Sequence, residues 1–117
     1  MQINIEKNNT STGNVVVVAL DAEKLDISNS ARFKKLMEPI VAENNKIVLD
    51  LEKVSFMDSS GFGAILGFLR ELSERGGDIK LCQVQKRVRI LLEMVRIHKI
   101  VSILNTREDA VRAFETA

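Results

Sequence analysis

The chain has 117 residues, 45% of them apolar and 28% charged, with 17 Lys+Arg against 16 Asp+Glu and a formal net charge of +1. This fits a single domain over residues 1–117 that buries a core without staples, and it excludes disordered and collagen-like chains. The near-neutral balance argues against direct nucleic-acid binding, and one cysteine, Cys82, with one histidine, His98, excludes an internal disulfide and leaves too few ligands for a Cys/His zinc centre.

Gln2 to Glu6 alternates polar and apolar residues, as a half-buried strand does. Lys7 to Asn14 is rich in Asn, Thr and Ser and contains Gly13, which is the chemistry of a hairpin loop. The β-branched run Val15 to Leu20 should then pair back on the first strand. Ser28 to about Asn44 reads as a helix with Phe33, Leu36, Met37 and Ile40 on one face. Pro39 inside it costs about 3 kcal/mol in an unrelieved helix interior and should kink or divide it.

Ile47 to Leu51 suits a strand buried on both faces. Ser60 to Arg75 is the clearest helix, ended by Gly76-Gly77. Asp78 to Val84 reads as a strand, Lys86 to Ile97 as a helix, Ile100 to Leu104 as a last strand and Thr106 to Phe114 as a short helix. Strands alternating with helices after an opening hairpin imply an α/β domain: a mixed sheet of about five strands with about four helices packed against it. No apolar run approaches the ~20 residues of a membrane helix, and the N-terminus lacks a signal-peptide pattern, so a cytoplasmic protein without membrane insertion is expected.

The informative segment is Asp50-Leu51-Glu52-Lys53-Val54-Ser55-Phe56-Met57-Asp58-Ser59-Ser60-Gly61-Phe62-Gly63. It combines a strand end, a turn, and an Asp-Ser-Ser-Gly that opens onto a helix. Asp and Ser cap the free N–H groups of a helix start, and for an arbitrary Asp-Ser-Ser-Gly plain capping is the default reading. A helix start also favours anions.

The whole segment closely resembles the signature of the STAS domain in bacterial anti-sigma factor antagonists, D-L-x-x-V-x-F-M-D-S-S-G-L-G leading into a helix. The resemblance runs from about Val15 to Phe114 and includes I-x-L-C-x-V at Ile79 to Val84 and V-x-x-L-L-E-M at Val88 to Met94. It implies a single STAS-like domain and a partner-switching cycle. The unmodified antagonist binds an anti-sigma factor that is also a serine kinase and so frees a sigma factor. The kinase then phosphorylates the antagonist, which stays released until a serine phosphatase resets it. No cofactor is implied. The alternative role within the same fold is a subunit of a lipid-transport ATPase complex or of a stress-signalling scaffold.

The resemblance implies that Ser59 is the phosphoacceptor, with Ser60 the competing hydroxyl and Asp58 the acid before it. Leu25-Asp26 resembles the family's G-E-L-D element, whose Asp lies near the acceptor loop, which makes Asp26 a neighbouring-site candidate. The usual Gly of that element is absent here, and the competing reading of Asp26 is a helix-entry acid before Ser28. The expected partner face is the acceptor loop plus one flank of the following helix. At about 100° per residue, Phe62, Ile65, Leu66, Leu69 and Leu72 share a core-facing arc. Gly61, Ala64 and Phe68 then fall beside that arc as a small-residue surface with one exposed aromatic, unless Phe68 packs under the neighbouring helix.

Other signals have simpler readings. Lys86, Arg87, Arg89, Arg96 and Lys99 fit a solvated helix face, and the chain has no Trp or Tyr for stacking on bases. Cys82 reads as an inert buried thiol and His98 as structural. Gly61-Phe62-Gly63 is not a phosphate loop, because no Gly-Lys-Ser/Thr follows. Ser59 has no Gly-x-Ser-x-Gly elbow and no neighbouring base, so an enzyme is not expected.

Overall fold

Four consecutive valines, Val15 to Val18, fix the centre of the molecule: all are buried, alternately on the two faces of one strand. The structure, a computed structural model, describes residues 1–115. In chain order its elements are β1 (Gln2–Thr10), β2 (Gly13–Asp21), β3 (Lys24–Leu25), α1 (Ser30–Glu43), β4 (Lys46–Asp50) and β5 (Phe56–Met57). They continue with α2 (Ser59–Ser73), β6 (Asp78–Cys82), α3 (Lys86–Met94), a 3-10 turn (Ile97–Lys99), β7 (Ile103–Leu104) and α4 (Arg107–Ala113).

The five-stranded sheet has the order β1-β2-β4-β6-β7. Only the β1–β2 pair is antiparallel, so the sheet is mixed, as expected. One face carries the larger core, where Val16, Ile47, Leu49 and Leu81 meet Phe33 and Met37 of α1, Ile65 and Leu72 of α2, and Leu92 of α3. On the other face, Val15, Val17, Val48 and Cys82 meet Ala110 and Phe114. Ile47, Val48, Leu49 and Asp50 of β4 are all buried, which is the two-sided burial expected of a central strand.

Five details depart from the sequence expectations. The hairpin loop is only Ser11-Thr12, because the register runs unbroken from Gln2↔Asp21 to Thr10↔Gly13. The polar residues Lys7 to Thr10 are therefore strand, held by pairing to the valine-rich partner, and Gly13 takes the positive φ of +124° that the turn requires. Pro39 does not divide α1. The hydrogen bond it removes belonged to the carbonyl of Lys35, and both residues are exposed, so water can satisfy that group.

Further along, α3 stops at Met94 rather than Ile97, because Arg96 turns left-handed at φ +62° into the 3-10 turn. The last strand shortens to Ile103–Leu104. Finally, β3 and β5 form a separate two-stranded parallel sheet that pairs Lys24 with Phe56 and Leu25 with Met57. Two-residue strands are too short to leave a periodic signal.

Candidate functional site

The β3–β5 pair sets the loop that leads into α2. Ser55 N donates to the Glu23 carbonyl at 2.7 Å and Asp58 N to the Leu25 carbonyl at 3.3 Å, so the two loops leave the small sheet side by side. Helix α2 then begins at Ser59, one residue earlier than expected, with Asp58 as its N-cap in extended conformation. One carboxylate oxygen of Asp58 accepts from Ser60 N (2.9 Å) and Gly61 N (3.2 Å), which satisfies two otherwise free amides of the first turn. The other accepts from Ile27 N at 3.0 Å. A single side chain therefore caps the helix and pins the loop ahead of α1 beside it.

Ser59 is exposed at the first position of α2, whereas Ser60 is half-buried. Asp26 lies in the pinned loop, immediately before Ile27, so the structure brings it near the start of α2. Its carboxylate accepts from both the amide and the hydroxyl of Ser28, and the Asp26 carbonyl accepts from Ser30 N at the start of α1. The hydroxyl of Ser28, then its amide and the Lys24 ammonium, outweigh desolvation and hold the Asp26 carboxyl below its ordinary value. Asp26 thus has the helix-entry geometry and also neighbours the loop that carries Asp58 and Ser59.

The expected small-residue surface is corrected. Gly61, Ala64 and Phe68 are buried, and Phe68 meets Phe33 of α1 edge-to-face, with ring centroids 5.6 Å apart and planes at 69°. The buried arc of α2 is centred roughly 60° away from the expected one, toward Ala64 and Phe68. The cause is that α2 is covered by α1 as well as by the sheet. Leu66 and Leu69, assigned to the core arc, are only half-buried. A Cβ added at Gly61 would stand 2.5 Å from the Leu25 carbonyl oxygen, so glycine there permits the close approach of α2 to β3.

Two features escaped the sequence. Ile27 is 76% exposed, and the only hint was an apolar residue in an otherwise polar loop. Asp50 is a carboxylate only 2% exposed, held by Arg107 Nε at 2.5 Å, Gln83 Nε2 at 2.6 Å and Glu52 N at 2.9 Å. The Asp50 contacts raise the pKa of Arg107. A buried acid in a central strand signals that a cation must meet it, but nothing local identifies Arg107. Cys82 is buried, and burial, followed by the charge of Asp50, pushes its thiol up to about 12, which makes it inert at neutral pH. Among the described residues no group of three or more His, Cys, Asp and Glu side chains is placed to hold a metal ion. None of their helices is long and apolar enough to cross a membrane.

A five-stranded mixed sheet with an Asp-capped Ser-Ser-Gly helix start beside a pinned loop is the architecture of the STAS domain. The STAS domain family model matches residues 6–110, and the chain belongs to that family. It is 34% identical over 103 residues to the anti-sigma F factor antagonist of Paenibacillus polymyxa, covering 86% of this chain and 87% of that one. A solved structure from Thermotoga maritima, provisionally named an anti-sigma factor antagonist, superposes with a TM-score of 0.77 at 28% identity over 93% of this chain and 92% of that one. The anti-sigma factor antagonist SpoIIAA in its unphosphorylated form shares the fold, with a TM-score of 0.68 at 22% identity over 97% of this chain and all of that one.

Proposed function

We propose that this protein is an anti-sigma factor antagonist of the cytoplasm, a regulatory binding protein rather than an enzyme. In its unmodified form it binds an anti-sigma factor that is also a serine kinase, which releases a sigma factor. Phosphorylation of Ser59 ends that complex, and a serine phosphatase restores it. The observation that carries the reading is the exposed hydroxyl of Ser59 at the first position of an Asp-capped helix, within the family signature.

The electrostatics say where such a switch acts. A phosphate on Ser59 adds about −1.5 to −2 charges at a helix N-terminus, which the helix dipole favours by roughly 0.3–1 kcal/mol. Asp58 already occupies the amides of Ser60 and Gly61, and its carboxylate repels the new charge. The two effects nearly offset, so the antagonist's own fold should change little. Against a partner surface that fits a neutral hydroxyl, the same charge is buried without compensation at a cost of several kcal/mol.

The test is titration of the kinase with Ser59 variants. Ser59→Asp is expected to weaken the complex at least tenfold, which requires only about 1.4 kcal/mol, while Ser59→Ala binds and takes up no phosphate. Equal affinity of Ser59→Asp and the wild type would contradict the switch.

A further inference from the structure

We infer that Ile27 and Phe56 are the apolar contacts through which the partner kinase seats itself over Ser59; this rests on the function proposed above and adds the surface that the partner reads. Ile27 is 76% exposed and Phe56 44% exposed, and each lies within a short distance of Ser59. The amide of Ile27 is bonded to the side chain of the residue directly before Ser59, 3.0 Å from its carboxylate. Phe56 stands three positions ahead of Ser59 on β5, a reach of about 10 Å at most. Phe56 and its sheet partner Lys24 are both exposed, while the alternate pair Met57 and Leu25 is buried in the core.

The choice of occupant follows from size. A specific protein interface covers about 800 Å² on each partner, a patch roughly 30 Å across. A kinase that brings its catalytic groups to the Ser59 hydroxyl over such an area reaches as far as both residues. Exposed isoleucine and phenylalanine side chains gain by being covered, whereas the polar loop around them gains little. Asp58 acts here as a positioning residue, because its second carboxylate oxygen holds Ile27 at a fixed place beside the acceptor.

The experiment titrates purified anti-sigma factor kinases encoded in the same genome against the wild type, Ile27→Ser, Phe56→Thr and Ile5→Ser, and follows phosphate uptake in the same samples. Ile5 is the control: it is 53% exposed on the edge strand β1, near the far end of α1 beside Pro39 and Ile40. Ile27→Ser and Phe56→Thr are each expected to weaken binding at least tenfold and to raise KM for the antagonist with kcat nearly unchanged. Ile5→Ser should match the wild type. Thermal unfolding checks that each variant folds, and Ile27→Ser alone decides if Phe56→Thr does not. Wild-type affinity in Ile27→Ser, with the wild type still bound and phosphorylated, would overturn this surface and leave the function standing. Failure of every kinase to bind the wild type would overturn the function, and the surface with it.

Discussion

Phe68 shows how burial changes the meaning of a residue. Its ring is 7% exposed and meets Phe33 edge-to-face, so its first duty is to join α1 to α2. Truncating a buried phenylalanine costs about 3–5 kcal/mol, and the aromatic pair adds roughly 0.5–1.5 kcal/mol to simple burial. Phe68→Ala is therefore expected to lower the thermal midpoint by about ten degrees or more. Kinase affinity, measured well below that midpoint, should stay within a few-fold of the wild type. A large loss of affinity with an unchanged midpoint would return Phe68 to the partner face. Asp58, by contrast, stands in sequence as an ordinary cap, and only the fold shows its second oxygen holding the Ile27 amide.

At the scale of elements, two glycines of α2 separate packing from solvent exposure. A Cβ at Gly61 would meet the Leu25 carbonyl at 2.5 Å and Met57 Cγ at 2.7 Å, and the backbone carbonyl cannot move aside cheaply. A Cβ at Gly63 meets nothing within 4 Å. Gly61→Ala should destabilise the domain and loosen the β3–β5 pair. Gly63→Ala should raise stability, by up to about 1 kcal/mol, by removing a helix-interior glycine. Chemical denaturation of both variants checks the pair of signs. The same scale explains what the sequence made legible. The signature at Asp50 to Gly63, the valine run and the Gly76-Gly77 stop placed the main strands and α2, with Ser59 at its start, because each is a local signal. The rotation of the buried arc of α2, the β3–β5 pair and the Asp58–Ile27 bond depend on which surfaces cover a helix and which loops run side by side. Residues far apart in the chain decide those, and no local pattern reports them.

For the whole molecule, Asp50 and Arg107 tie the central strand to α4 on the face opposite α2, and Arg107 also reaches Glu6 on the edge strand at 3.1 Å. Removing the cation that faces a buried carboxylate leaves an uncompensated charge, a loss of up to about 3–5 kcal/mol where nothing else relieves it. Gln83 and the Glu52 amide still hold Asp50, so Arg107→Ala is expected to cost somewhat less, near 2–3 kcal/mol in urea denaturation. Because this tie lies across the sheet, kinase binding by the folded fraction should be unchanged, which separates the molecule's stability from its signalling face. In the proposed switch one exposed hydroxyl, on Ser59, takes the phosphate. Its most direct test is to phosphorylate the purified chain with its anti-sigma factor kinase and locate the phosphate by fragmentation mass spectrometry. The account requires phosphate on Ser59, lost in Ser59→Ala and retained in Ser60→Ala. Phosphate that persists in Ser59→Ala and disappears in Ser60→Ala, or no phosphate on the wild type at all, would contradict it.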